Sequence, residues 1–215
     1  MKLAIMQPYF FPYVGYFQLM AVVDKFVFLS DVQYIRRGWV NRNRIPSRDK
    51  DFQYLTVPVA KHARESTIEQ MQIAPGWIDE HLSLLRHAYG KKIESHPLIR
   101  HYSGLGRHIS LNEMLCESLM WTARYLGLNC DFAYSSGISH QSGQRRILDI
   151  CRHYGATSYL NLSGGKDLYD AADFGSIKLQ FMPPTQYTNC FSIIDPILTE
   201  EDAIKSWLAR LTPQN

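Results

Sequence analysis

The sequence has few of the features that mark several large protein classes. Its 215 residues include four cysteines, and no two of them have the C-x-x-C spacing of a zinc or redox site. No apolar run reaches the length of about 18 residues that a membrane-spanning helix needs. Gln7 and Pro8 interrupt the N-terminal apolar stretch, so we expect no signal peptide. These absences favour a cytoplasmic protein whose cysteines are reduced and buried.

Standard catalytic and metal-binding motifs are also missing. The eight histidines form no H-x-x-x-H or H-E-x-x-H pair, no serine lies in a G-x-S-x-G elbow, and there is no complete P-loop. A net charge of +3, from 23 basic and 20 acidic residues, is too balanced to indicate a nucleic-acid-binding protein. We therefore predict no metal site and no nucleic-acid partner, and the cofactor stays undefined.

The order of predicted elements indicates an α/β fold. Leu3–Met6 and Lys25–Leu29 are short, apolar and rich in β-branched and aromatic residues, as buried strands are. The helical pattern of Gly15–Val23 lies between them. A compact strand–helix–strand unit makes its two strands parallel. Ligands of such sheets bind at the carboxyl ends of the strands.

The last third of the chain repeats this alternation. Strands are predicted at Asp131–Tyr134, Ser158–Leu162 and Ile177–Met182, with a helix at Gln144–Tyr154 and a terminal helix that opens at Thr199. The prediction is a single α/β domain over residues 1–215, with a Rossmann-like, mostly parallel sheet that carries helices on both faces.

The middle of the chain departs from this alternation. Asp31–Ile45 and Phe52–Val59 are predicted as extended segments joined by a polar turn, which form either a hairpin or two strands of a sheet. Two helices follow, one over Gly76–Tyr89 and one that begins at Ser110 with a capping-box pattern. We interpret residues from about 60 to 129 as a mostly helical insert.

Polar and aromatic residues follow the first strand. A helix that begins at Gly15 presents unpaired backbone N–H groups, which bind phosphate or carboxylate. Gln7, Tyr9, Gly15 and Tyr16 are therefore candidate site residues. The alternative is that the prolines and aromatic residues of this turn simply pack the edge of the core, and the sequence leaves both interpretations open.

The second strand ends at Asp31. A carboxylate at that edge suits a ribose hydroxyl, an amine or a metal-bound phosphate, which makes Asp31 a candidate catalytic residue beside Gln7 and Gln33 a candidate binding residue. The alternative is a turn or helix-capping aspartate.

The most unusual segment spans residues 36–44. In an extended chain Trp39, Asn41 and Asn43 share one face, while Arg42 and Arg44 share the other. Asparagine is disfavoured in strands, and guanidinium groups are forked donors for phosphate or carboxylate. The segment is predicted to form an anion-binding wall, with a solvated edge strand as the alternative.

A glycine turn follows the predicted strand Ser158–Leu162. The absence of a side chain at Gly165 lets the backbone approach a ligand, and Lys166 is long enough to reach a phosphate. A tight surface turn explains the same residues equally well.

Three N-terminal segments, Met6–Phe17, Asp24–Tyr34 and Trp39–Ile45, resemble the WbqC-like protein family. Ser30 departs from the pattern, since that family commonly has a second acidic residue before Asp31. The resemblance implies a link to bacterial surface polysaccharide (O-antigen, lipopolysaccharide) gene clusters. The layout also looks like that of nucleotidyltransferases, with Gln7 and Tyr16 at roughly the places of their histidine pair.

The reactions of individual proteins of this kind are poorly defined. Our leading hypothesis, from the candidate site residues together with this resemblance, is a group-transfer enzyme that acts on a phosphate-bearing small molecule. The substrate would be a nucleotide-activated amino sugar, and the transferred group an acyl or aminoacyl group. Asp31 would orient or deprotonate the attacking amine. Two alternatives remain open: a nucleotidyltransferase or adenylate-forming enzyme that uses ATP and Mg²⁺, and a non-catalytic binding subunit of a glycan assembly complex. The oligomeric state is not predicted.

Overall fold

The computed structural model describes residues 1–185, 187 and 190–212. Within these residues the strands are β1 (Lys2–Met6), β2 (Lys25–Phe28), β3 (Arg42–Ile45), β4 (Gln53–Thr56), β5 (Asp131–Tyr134), β6 (Ser158–Leu162) and β7 (Lys178–Met182). The α-helices are α1 (Val14–Val22), α2 (Ile78–Tyr89), α3 (Pro97–Gly104), α4 (Leu111–Tyr125), α5 (Gly143–His153), α6 (Ile194–Thr199) and α7 (Glu201–Leu211).

Five strands form a parallel sheet in the order β5-β2-β1-β6-β7. When the five strands are numbered in the order in which they occur in the chain, this order is 3-2-1-4-5, which is that of the first five strands of a Rossmann fold. The first strand lies in the middle, because the chain adds β2 and β5 on one side and β6 and β7 on the other. The predicted α/β class and the parallel pairing of the first two strands are therefore confirmed.

Helices cover both faces of the sheet, as predicted. Alternate strand residues point to opposite sides, so that Ala4 and Phe26 pack into the core formed with α1, α4 and α7. Leu3, Ile5 and Val27 pack on the other side with α5. Strands that are buried on both faces explain why these segments are almost continuously apolar.

The prediction of one long extended segment over Asp31–Ile45 is wrong. The chain turns at residues 35–38, where Arg37 has a positive φ of 60°, and strand pairing begins only at Arg42. β3 and β4 form the predicted antiparallel hairpin, which is separate from the parallel sheet. Ile45 and Leu55 lie on its inner face and pack into the same core as α1.

Between β4 and β5 the chain is mostly helical. α2 ends at Gly90 (φ 85°), and the Ser110 hydroxyl accepts a hydrogen bond from the Glu113 N–H at the start of α4, as the sequence predicts. Two helices, α3 and α6, were not predicted. In the part of the chain that the structure describes, no helix combines the length and apolar composition needed to cross a bilayer.

Candidate functional site

The carboxyl edge of the sheet is the natural place for a ligand. Between β1 and β6 the order of strand addition reverses, since the chain adds β2 on one side of β1 and later adds β6 and β7 on the other. Helices therefore leave in opposite directions and open a crevice at this edge. Gln7 follows β1 and Ser163 follows β6, so both predicted loops begin here.

The loop from β1 to α1 is held in a strained conformation by distant residues. Phe11 has a φ of 39°, in the left-handed region that bulky residues avoid. The buried Asn43 side chain donates through Nδ2 to the carbonyl oxygens of Phe11 (2.8 Å) and Phe10 (3.2 Å). The Ser192 hydroxyl also donates to Phe11 O, at 2.7 Å. Surrounding contacts thus determine a backbone that local preference disfavours.

A cavity of about 230 Å³ lies beside this loop. Its lining comes from the β1–α1 loop, the 39–44 segment and the C-terminal part of the chain: Tyr9, Pro12, Tyr13, Trp39, Asn43, Arg44 and Cys190. The structure therefore brings together four predicted site residues from two segments, namely Tyr9, Trp39, Asn43 and Arg44. Of these, Asn43 also holds the loop through its hydrogen bonds.

Arg44 is the cationic group of this cavity. Its guanidinium carbon lies 5.3 Å from the Trp39 ring centroid and 5.1 Å from that of Phe52. Its Nε is buried and has no hydrogen-bond partner among the described residues. A buried donor without an acceptor is costly, and an anionic oxygen in the cavity would satisfy it. The combination of aromatic walls and a guanidinium group suits a ring that carries a negative charge.

Gly15 has a steric explanation. A Cβ at this position would lie 2.4 Å from Cε2 and 2.7 Å from the hydroxyl oxygen of Tyr13, so glycine lets the Tyr13 ring fold over the start of α1. Tyr16 is buried and donates a hydrogen bond to Gln7 O (3.2 Å). Burial raises the pKa values of Tyr9, Tyr13 and Tyr16, so all three hydroxyls are neutral at physiological pH.

Asp31 has its own set of partners. Its Oδ1 accepts a hydrogen bond from the Ser135 hydroxyl at 2.6 Å, and its other oxygen pairs with the Arg146 guanidinium. Both side chains of this ion pair are largely buried. Sequence reasoning missed Arg146, because nothing local distinguishes it from its neighbour Arg145 and its partner is 115 residues away. Asp31 is not among the residues that line the cavity.

Other predicted site residues bind backbone groups. The buried Asn41 side chain donates to Val57 O at 2.7 Å and fixes the hairpin. Gln33 donates to Arg64 O at 2.9 Å, and Arg42 donates to Gly38 O at 3.2 Å. Of the three predicted site residues Asp31, Asn41 and Asn43, the cavity lining includes Asn43 and neither of the other two.

The glycine turn after β6 forms a 3₁₀-helix over Ser163–Leu168. A Cβ at Gly165 would lie 2.8 Å from the Asn161 Nδ2 atom, which donates to the Tyr169 hydroxyl at 3.2 Å. Glycine is therefore needed for packing at this point. Lys166 is exposed and remains available to a ligand at the carboxyl edge.

The expectation of buried cysteines holds for part of the set. Cys116 and Cys151 are buried, and burial raises the pKa of each thiol to about 12. The expectation is wrong for Cys190, which is exposed and lines the cavity. Nothing in the sequence around Cys190 indicates that it lies beside the β1–α1 loop, which is about 180 residues earlier in the chain.

Comparison with known proteins gives one family and one relative. The model of the WbqC-like protein family matches residues 7–205. The uncharacterized protein Rv1507c of Mycobacterium tuberculosis (strain ATCC 25618 / H37Rv) is 27% identical over 185 residues, which cover 83% of this chain and 80% of that protein. No solved structure matches the chain. Because the family match includes both the β1–α1 loop and the hairpin, the chain belongs to the WbqC-like protein family.

Proposed function

We propose that the protein is a group-transfer enzyme of bacterial surface polysaccharide (O-antigen, lipopolysaccharide) biosynthesis. Its substrate is a nucleotide-activated amino sugar, and the transferred group is an acyl or aminoacyl group. One observation carries the proposal: a cavity beside the β1–α1 loop joins three aromatic rings, those of Tyr9, Tyr13 and Trp39, to the guanidinium of Arg44, whose buried Nε has no hydrogen-bond partner among the described residues.

The dimensions of the cavity suit one part of such a ligand. Drug-sized ligands occupy pockets of roughly 300–1,000 Å³. A cavity of about 230 Å³ therefore accepts a single base or sugar ring, stacked on the aromatic walls. Arg44 would bind the adjoining phosphate, and the rest of the molecule would extend along the carboxyl edge toward Gln7 and Lys166.

The chemistry requires a positioned amine. The amino nitrogen of the sugar attacks the carbonyl carbon of an activated acyl donor and a C–N bond forms. The bond to the donor's leaving group breaks, the leaving group departs with the electron pair, and the proton lost by the amine passes to that departing group. Both oxygens of Asp31 already have partners, Ser135 and Arg146. This geometry supports an orienting role for Asp31 more than a role as proton acceptor.

A second candidate is a non-catalytic binding subunit of a glycan assembly complex. It is favoured by one observation, that Asp31 does not line the cavity beside Arg44. In this case the aromatic pocket binds a sugar nucleotide without transforming it.

A thermal-shift screen tests the binding part of the proposal. We expect a UDP-linked amino sugar near a hundredfold excess over its Kd to raise the Tm by on the order of 5 °C. Arg44→Gln should abolish the shift, while Arg48→Gln, at an exposed arginine in the hairpin turn, should preserve it. Equal loss in both variants, or no shift with any nucleotide sugar, would refute the proposed site. A shift with ATP and Mg²⁺ alone would instead favour nucleotidyl transfer.

Turnover separates the enzyme from the binding subunit. With the bound amino sugar and an activated acyl donor, we expect Asp31→Ala to lower kcat by about 10² or more, because the amine loses its orientation, while the nucleotide-sugar shift persists. Wild-type protein that binds the sugar nucleotide but transfers no group from any donor would establish the binding subunit.

A further inference from the structure

The segment of residues 32–64 has a charge unlike that of the rest of the chain. It holds eight basic and two acidic residues, a net charge of +6, whereas the whole chain has a net charge of +3. The remaining residues therefore sum to a negative charge. In the structure this segment forms the turn at residues 35–38 and the β3–β4 hairpin. A strongly basic arm on an otherwise acidic protein is typical of a surface that binds a polyanion.

The outer face of the hairpin is a continuous layer of arginines and aromatic rings. The Arg42 guanidinium lies 4.5 Å from the Tyr54 ring centroid, and that of Arg44 lies 5.1 Å from Phe52 and 5.3 Å from Trp39. Phe52 and Tyr54 meet edge to face, with centroids 5.4 Å apart. We call these five side chains the arginine–aromatic face.

The turn at residues 35–38 extends this face. Arg42 donates hydrogen bonds to Gly38 O (3.2 Å) and to Arg37 O, so the turn is fixed beside the hairpin. Ile35 is 61% exposed in the turn, and its neighbours Arg36 and Arg37 are also exposed. An aliphatic side chain exposed to water is not stabilised there. Transfer of the Ile35 side chain from water into an apolar phase would be favourable.

We propose that the arginine–aromatic face and its turn dock on the anionic headgroup region of a phospholipid bilayer. Tryptophan and tyrosine rings prefer the interface between headgroups and hydrocarbon, arginines bind lipid phosphates, and Ile35 can enter the acyl boundary. A single-stranded nucleic acid would need open ring faces for stacking, and guanidinium groups of Arg42 and Arg44 already lie over these rings. The observations therefore favour a lipid surface.

This inference goes beyond the proposed function and does not depend on it. Trp39 and Arg44 belong to both the face and the cavity lining, so docking brings the cavity to the level of the headgroups. A substrate held at the membrane surface could then enter the cavity without leaving that surface.

Vesicle sedimentation tests the proposal with the full chain and no substrate. We expect the protein to sediment with phosphatidylcholine vesicles that contain phosphatidylglycerol, and to stay in solution with phosphatidylcholine alone. The double variant Arg36→Gln/Arg37→Gln should bind about 30-fold more weakly, since each basic side chain near an anionic surface contributes about fivefold. The matched control is Arg145→Gln/Arg152→Gln, which removes two exposed arginines from α5 on the opposite face of the sheet.

Each outcome decides for or against the docking surface. Ile35→Ser should weaken binding at all salt concentrations, whereas the arginine variants should matter less as salt screens the charges. Failure to sediment with anionic vesicles at low salt overturns the proposal. So does an equal loss in the α5 control, which would indicate bulk charge alone. Tighter binding to a single-stranded oligonucleotide than to vesicles, abolished by Arg36→Gln/Arg37→Gln, would assign the face to nucleic acid.

Discussion

At the scale of single residues, Asn43 shows how a side chain can support a site mainly by shaping backbone. Its amide nitrogen donates to two successive carbonyl groups, and its Oδ1 accepts from the Arg44 N–H at 2.8 Å. The two bonds from its amide nitrogen are buried, and a hydrogen bond in a buried environment is stronger than one in water. Because the bonds hold Phe11 at a positive φ, Asn43 stabilises the loop that supplies half of the cavity.

We expect Asn43→Ala to lower the free energy of unfolding by about 3 kcal/mol, because it leaves buried backbone groups without partners. Urea unfolding measures the change. Asn129→Ala, at an exposed asparagine, is the control and should cost under about 0.5 kcal/mol. Equal stability of the two variants would show that the loop does not depend on Asn43.

Asp31 and Arg146 form a buried pair that a double-mutant cycle can measure. Removing either partner leaves the other charge without compensation, so we expect Asp31→Ala and Arg146→Met each to cost about 3 kcal/mol. The double variant should cost about 2 kcal/mol less than the sum of the two. Strictly additive losses in urea unfolding would mean that the pair contributes no coupling.

At the scale of elements, the start of α1 illustrates competition between helix propensity and packing. Glycine inside a helix is about 1 kcal/mol less favourable than alanine. Alanine would nevertheless be unfavourable at position 15, because its Cβ would collide with the Tyr13 ring. The element is thus slightly destabilised in order to place an aromatic wall of the cavity.

The effect of Gly15→Ala on stability should therefore change sign with the residue at position 13. In the wild-type background we expect it to destabilise the protein, since the Tyr13 ring must move. In a Tyr13→Ala background it should stabilise the protein by about 1 kcal/mol. Urea unfolding of the four proteins measures both effects, and the same sign in both backgrounds would contradict the collision.

His81 joins α2, α3 and β4. Its Nδ1 accepts from the Tyr102 hydroxyl at 2.7 Å, and its Nε2 donates to Thr56 O at 3.1 Å, which requires the neutral ring. Burial lowers its pKa from 6.5 to about 4, although the bond to Thr56 opposes this shift. Burial lowers the pKa of His101 to about 4 as well.

Stability should therefore fall as the pH decreases from 6.5 to 4. In this window the unfolded chain binds protons that the folded His81 does not, so acid favours unfolding, by up to about 3 kcal/mol from this residue. Urea unfolding at several pH values measures how the free energy of unfolding depends on pH. His81→Gln should reduce this dependence, and His101 should account for part of what remains. His140→Gln, at an exposed histidine, is the control. An unchanged slope in His81→Gln would exclude its titration as the cause.

Elements proved more predictable than contacts. The predicted bounds of β5 and β6 match the structure. Those of β1 and β2 are each within one residue of it, because strands buried on both faces are almost continuously apolar. The prediction failed over residues 31–41, where the Gly38 N–H donates to Ile35 O at 3.2 Å and the Arg42 side chain holds the same turn from outside it. Cys190 and Arg146 could not be assigned from sequence, since their neighbours are more than 100 residues away.

At the scale of the molecule, the C-terminal part of the chain completes the N-terminal loop. The Ser192 N–H donates to Arg44 O at 2.9 Å, its hydroxyl donates to Phe11 O, and the Ile193 N–H donates to Pro12 O at 3.0 Å. α7 packs against α1 beneath the same loop. The cavity is therefore a product of both ends of the sequence.

A chain that ends at Thr185 should not unfold cooperatively, because it lacks the partners of both the loop and α1. Ser192→Ala, which keeps α6 and α7, should cost only about 2 kcal/mol and leave the urea m-value unchanged. Circular dichroism in urea compares the two. A truncated protein with the wild-type transition would show that the C-terminal part is dispensable.

The bond between Ser192 and Phe11 spans 181 residues, and this separation matters during synthesis. A ribosome that adds roughly 5–20 residues per second emits the partner of Phe11 about ten seconds or more after Phe11 itself. Through that interval the nascent chain carries an open, aromatic N-terminal loop. Chaperones that recognise exposed aromatic segments have this window in which to bind it, and the window closes only after Ser192 has been synthesised.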